Sequence, residues 1–239
     1  MALTPFPEDW QTALCIAAHP DDLEYGTAAA VAKWTEQGKT VSYLLATRGE
    51  AGIDGMAPDQ AGPLREQEER DGAAKVGVDV VEFLGLTDGV VEYGVPLRRL
   101  IAAEIRRRRP DVLLTGTHRE RFPGGFTNQA DHRAVGLAVI DASADAGNRW
   151  IFPELLAEGL EPWSGVRHVA LAASPEPTHV VDVSDTFEPA VASLEAHGEY
   201  LAALGPDYPS PRDLLQQILG SADDPDLGEY SLRLEVFDR

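Results

Sequence analysis

A single cysteine in 239 residues leaves the chain without a partner for an internal disulfide. Cys15 lies in an apolar run, where a thiol is a poor nucleophile. No stretch is long and apolar enough to span a bilayer, so membrane insertion is not expected. Met1–Trp10 lacks the basic start and apolar centre of a secretory leader. The expected compartment is the cytoplasm. Basic residues are also scarce: 20 Lys and Arg face 40 Asp and Glu, a formal charge of −20. Such a field repels phosphate backbones and speaks against nucleic acid as a partner. The one basic run, Arg106–Arg109, ends a helix pattern, where cations complement the helix dipole. Neither a Gly-Lys-Ser/Thr ending nor a Gly-x-Gly-x-x-Gly turn is present, which removes the usual phosphate and dinucleotide cradles. A serine nucleophile elbow is missing as well.

The sequence does contain a regular alternation of apolar strand and helix patterns. Strands are expected at Thr12–Ala18, Thr40–Thr47, Val80–Leu84 and Asp111–Thr115, and helices at Gly26–Gln37, Leu64–Val76, Pro96–Arg108 and His132–Ala146. This order predicts an α/β fold, a Rossmann-like and mostly parallel sheet with helices on both faces. Later strands are expected at Val166–Ala172 and His179–Val183, then a helix from Thr186 to about Leu204 and an edge strand within Glu229–Asp238. No linker divides the chain, so residues 1–239 are expected to form one domain. Two long irregular segments, Arg48–Pro63 and Gly116–Ala130, both follow strands and belong at the carboxyl edge of the sheet.

That edge carries the chemistry. His19-Pro20-Asp21-Asp22-Leu23-Glu24 follows the first strand, packing one imidazole and two aspartates into four residues. His19 and Asp22 can reach one cation, which leaves Asp21 for proton transfer. Pro-Asp-Asp is also good turn and capping chemistry, and that plainer reading stays open at this point. Asp131-His132 opens the helix after the fourth strand. With strand order 3-2-1-4, strands one and four are neighbours, and His132 completes a His-Asp-His set between them. Three protein ligands with an open position is the arrangement of a catalytic zinc site. Magnesium-dependent phosphotransfer on paired aspartates fits less well, because two histidines occupy ligand positions.

The two segments resemble the signatures of the LmbE-like (PIG-L) zinc-dependent N-deacetylases. Thr47-Arg48-Gly49-Glu50, Arg65-Glu66-Gln67-Glu68, Ala73–Gly77, Asp88-Gly89 and His197 are similar to further family motifs in the same order. The resemblance implies one Zn2+ per chain held by His19, Asp22 and His132, with Asp21 as general base. It implies that Glu50, Arg65 and Asp88 face the substrate, a small acylated amine such as an N-acetyl amino sugar or a metabolite containing one. Asp131 would hold a histidine in place from behind, with His197 as the obvious partner. One departure stands out. The family usually has His-Pro-Asp-His where this chain has Gln129-Ala130-Asp131-His132. Gln129 can donate a hydrogen bond to an oxyanion but cannot carry a proton across. Three readings follow: Asp21 moves the proton both ways, His118 or another loop residue substitutes, or the protein binds its ligand without turning it over. The oligomeric partner is not readable from the sequence.

Overall fold

The computed structural model describes residues 3–221 and 227–239. Strand β1 (Thr4–Pro5) is a short edge piece that the sequence pattern did not reveal. Strand β2 (Thr12–Ala17) is apolar on both faces: Ala13, Cys15 and Ala17 enter one core cluster, Leu14 and Ile16 the other. A strand buried on both sides belongs in the middle of a sheet covered by two helix layers. It lies between β3 (Thr40–Leu45) and β5 (Val112–Gly116), parallel to both. Strand β4 (Val80–Phe83) flanks β3, which gives the expected 3-2-1-4 order of the four early strands.

Helices α1 (Thr27–Glu36) and α2 (Pro58–Lys75) cover one face, and α3 (Val95–Arg108) and α4 (Ala130–Asp145) the other. Helix α2 begins six residues before the expected Leu64. Pro58 occupies its first position, where a missing N–H is harmless, and Pro63 is absorbed within the helix. The irregular segment expected to end at Pro63 is correspondingly shorter. The arginine run is structural: Arg106 is buried and donates to the carbonyls of Ala146, Asn148 and Ile151 beyond α4. A short helix, α5 (Glu154–Ala157), precedes β6 (His168–Ala172), which pairs parallel to β5.

The last third departs more from expectation. Strands β7 (His179–Asp182) and β6 are not neighbours, because β8 (Ser231–Asp238) inserts between them, antiparallel to both. The final strand is therefore internal rather than an edge strand, with Leu232 and Leu234 in the core. The long helix expected from Thr186 is broken into α6 (Phe187–Glu195) and α7 (Gly198–Ala203). The break falls at His197, whose ring is fully buried. Helix α8 (Pro211–Leu219), capped by Ser210 and anchored by Leu215 and Leu219, is not among the helices expected from the sequence. The complete sheet order is β1-β7-β8-β6-β5-β2-β3-β4. Among the described residues, no helix is long and apolar enough to cross a membrane.

Candidate metal centre and active site

The loop leaving β2 turns back on itself around Asp22. Asp22 Oδ2 accepts the backbone N–H groups of His19 (2.8 Å) and Ala18 (3.1 Å), leaving Oδ1 3.0 Å from His132 Nε2. His19 Nδ1 lies 3.2 Å from that same His132 Nε2 and 3.5 Å from Asp22 Oδ2. Strand adjacency has thus brought His19, Asp22 and His132 together at the carboxyl edge between β2 and β5.

Hydrogen bonds on the far side of each ring fix its tautomer. Asn128 donates both amide protons, to Thr117 O (2.8 Å) and Arg119 O (2.9 Å), so its Oδ1 faces His132 Nδ1 at 3.0 Å and must accept. His132 Nδ1 therefore carries the proton, and Nε2 offers a lone pair. His19 Nε2 points at Asp88 Oδ1 (3.0 Å) and Asp131 Oδ2 (3.3 Å), both acceptors, so its proton is there and Nδ1 offers the lone pair. With these tautomers His19 Nδ1, His132 Nε2 and an Asp22 oxygen form a donor set that could hold one cation. Tetrahedral zinc with bonds of about 2.0–2.1 Å holds its donors about 3.3 Å apart. The two distances that share His132 Nε2, 3.0 Å to Asp22 Oδ1 and 3.2 Å to His19 Nδ1, fit that ion. Electrostatics agree. Burial disfavours a charged His19, but Asp131, Asp22 and Asp88 around the ring favour positive charge in this pocket, which a bound cation can supply in place of a second ring proton.

Asp21 is buried beside this set in a backbone conformation unusual for a side-chain-bearing residue, φ +88°. Its N–H donates to Glu69 Oε2 at 3.1 Å, and Arg65 Nη2 donates to its Oδ1 at 2.8 Å. Burial pushes the Asp21 carboxyl up to about 6 against the pull of Arg65. A carboxyl poised near neutrality suits proton transfer in both directions.

The remaining sequence candidates take distinct places. Arg65 is buried, donates to Pro20 O (2.5 Å) and Gly49 O (3.2 Å) as well as Asp21, and stacks 3.8 Å over the Tyr200 ring. Its guanidinium is thus engaged with Asp21 and the two loop carbonyls. Glu50 and Asp88 brace two loops reciprocally: Glu50 Oε1 accepts Asp88 N (3.0 Å), and Asp88 Oδ2 accepts Ala51 N (2.8 Å). Asp131 is fully buried, and its carboxylate accepts the N–H groups of Gly89 (2.7 Å) and Val91 (3.1 Å). It does orient a histidine, but that histidine is His19. His197, the expected partner, lies instead with Glu24 and Glu69 on the other side of Asp21. Gln129 is exposed at the N-cap of α4 and makes no side-chain cap. His118 is half-buried just beyond β5, and burial lowers its pKa. Asn128 was missed: an asparagine four residues before a histidine is a weak signal until the loop brings its amide under the ring.

The doubly covered, mostly parallel sheet thus carries a candidate metal site, His19, Asp22 and His132, at its carboxyl edge. The GlcNAc-PI de-N-acetylase (PIG-L) family model matches residues 14–143, and the chain belongs to that family. It is 32% identical over 195 residues to the diacetylchitobiose deacetylase of Thermococcus kodakarensis, covering 81% of this chain and 71% of that one. The N,N'-diacetylchitobiose deacetylase structure from Pyrococcus horikoshii superimposes with a TM-score of 0.86 at 22% identity, over 97% of this chain and 85% of the other. GalB, a 4-carboxy-2-hydroxymuconate hydratase from Pseudomonas putida, shares the fold at a TM-score of 0.78 and 17% identity, over 96% and 97% of the two chains. The fold therefore hosts more than one reaction, and the reaction must be argued from the site.

Proposed function

We propose that this chain is a zinc-dependent N-deacetylase acting on an N-acetyl amino sugar or a metabolite containing one. The observation that carries the reading is the pair of facing imidazole nitrogens at 3.2 Å beside Asp22, with buried Asp21 next to them. The similarity to the diacetylchitobiose deacetylase supplies the substrate class. In this reading His19, Asp22 and His132 hold the zinc, which when bound polarises the amide carbonyl and makes water nucleophilic near neutral pH. Asp21 takes a proton from the attacking water as the new C–O bond forms. It then delivers that proton to the amide nitrogen as the C–N bond breaks, releasing acetate and the free amine. Arg65 holds Asp21 in place for both transfers. Asp88, Asp131 and Asn128 fix the tautomers of the two histidines. Gln129, exposed at the mouth, supplies amide donors to substrate oxygen but no proton.

We assign residues 1–239 to one domain, because a single sheet takes strands from both ends of the chain. The cytoplasm suits a protein whose single thiol is buried and unpaired. The test is metal analysis of the purified protein together with acetate release from N-acetylglucosamine and diacetylchitobiose. Stoichiometric zinc with acetate release is expected. Zinc without release from these or other N-acetylated amines would favour a binding protein in which Gln129 has ended turnover.

A further inference from the structure

Behind Asp21, on the side away from the His19–His132 pair, a second set of donors is wholly enclosed. Glu24, Glu69 and His197 have no exposed surface, and their candidate ligand atoms all lie within 4.8 Å of one another. His197 Nε2 stands 3.8 Å from Glu24 Oε2 and 3.8 Å from Glu69 Oε2. Both ring nitrogens of His197 lack a hydrogen-bond partner, and so do Glu24 Oε2 and Glu69 Oε1. Four unpaired polar atoms in one dry cluster are a large anomaly, since buried polar groups are almost always satisfied.

Protons alone do not resolve it. A hydrogen bond from a carboxyl to a ring nitrogen spans about 2.6–3.2 Å, and 3.8 Å is too long. A shared ion fits the spacing: donors about 2.2 Å from a common cation lie about 3.1–3.8 Å apart, from octahedral to trigonal arrangement. Two carboxylates and a neutral imidazole bring two negative charges, which one divalent ion balances. We propose that Glu24, Glu69 and His197 form a second, buried site for a divalent first-row transition ion such as zinc. The imidazole favours that class over magnesium or calcium.

The surroundings are shaped for the ring. A Cβ at Gly72 would lie 3.3 Å from His197 Nε2 and 2.9 Å from Ser193 O, so glycine leaves His197 its place between α2 and α6. Ser193 Oγ stands 3.1 Å from Glu24 Oε1 and 2.9 Å from Gly72 O. Glu69 Oε2 also accepts the Asp21 N–H, so an ion bound here pins the positive-φ turn that carries the proposed base. Its role is structural. This inference stands independently of the hydrolase reading.

The test counts zinc by mass spectrometry in the full chain, refolded with excess zinc and desalted, for wild type and His132→Ala. Two ions per chain in wild type and one in the variant are expected, with the retained ion resisting brief chelation because it has no solvent path. Zinc K-edge absorption of wild type should then show between one and two imidazoles per ion, a readout that does not depend on any variant folding. One ion in wild type with two imidazoles, and none in a folded His132→Ala protein, would overturn this site while leaving the first. One ion in both proteins with a single imidazole would keep this site and overturn the first. No zinc in wild type would remove both.

Discussion

The half of the sheet built from β4, β3, β2, β5 and β6 and the half built from β8, β7 and β1 do different work. In the first, every strand runs the same way, so every crossover loop opens at one edge. His19, Asp21 and Asp22 follow β2, Glu50 follows β3, Asp88 follows β4, and Asn128, Asp131 and His132 follow β5. The second half reverses direction at β8 and supplies none of His19, Asp22 and His132, although His197 of the other buried cluster follows β7. Parallel topology concentrates chemistry because it stacks strand ends; the antiparallel addition extends the core and braces the edge from the side. If that division is real, changes in the first half alter chemistry with little loss of fold, and changes in the second do the reverse.

The sharpest test of this division is Asp21→Asn. The amide keeps the shape and a partner for Arg65 but cannot accept a proton at neutral pH. Turnover should fall by about 10²–10⁴-fold, with zinc content and Tm near wild type. A rate within threefold of wild type would take Asp21 out of the reaction. Asn128→Ala comes next. It removes the acceptor that fixes the His132 tautomer, and losing such a partner typically costs about 10–100-fold in metal affinity. Competition with a zinc chelator would read this, and unchanged affinity would mean that the His132 ring is held by packing alone.

The same division explains what could be read from sequence. Strands β2, β3 and β5 show apolar runs because both of their faces are buried, whereas β4 lies at the sheet edge with Val80 and Glu82 exposed; for the inner strands local pattern suffices for element, order and edge. His19, Asp22 and His132 followed from that placement. Asn128 and the true partner of Asp131 did not, because both depend on which loop folds under which ring. Arg65 looked like a substrate contact because it is charged and lies in a motif; its burial under Asp21 is a tertiary fact. In the second half, β8 reads locally like an edge strand, and only pairing across more than fifty residues makes it internal. Likewise the expected single helix is interrupted at His197, a break that periodicity alone does not show.

Gly136 probes the seam where α4 meets the carboxyl end of β5. A Cβ there would lie 2.6 Å from Gly116 O and 3.0 Å from His118 N, both backbone atoms that cannot swing away. Gly136→Ala should therefore cost about 1–3 kcal/mol, a drop in Tm of several degrees. It should also weaken zinc binding, because His132 lies one turn earlier on the same helix. Loss of stability without any change in zinc affinity would show that the helix start is anchored by its own loop.

Glu235 on β8 is the smallest and most discriminating case. It is buried, and Arg119 donates to both its oxygens (3.0 and 2.5 Å) while Ser174 donates to Oε2 (2.5 Å), which ties the loops after β5 and β6 to the antiparallel half. Burial alone would raise the carboxyl, but Arg119 and Ser174 hold it below its ordinary value. A depressed carboxylate stabilises the fold above its unfolded pKa, about 4.3, and that contribution is lost as pH falls through the folded value. Glu235→Gln should thus cost about 1 kcal/mol at neutral pH, modest because Arg119 is partly exposed, and the deficit should shrink toward pH 3. Arg119 O also receives an amide proton from Asn128, which in turn faces His132. Were the two halves separate, zinc affinity would be unchanged in Glu235→Gln; a fall of threefold or more would show the antiparallel half setting the geometry of the metal centre through Arg119 and Asn128.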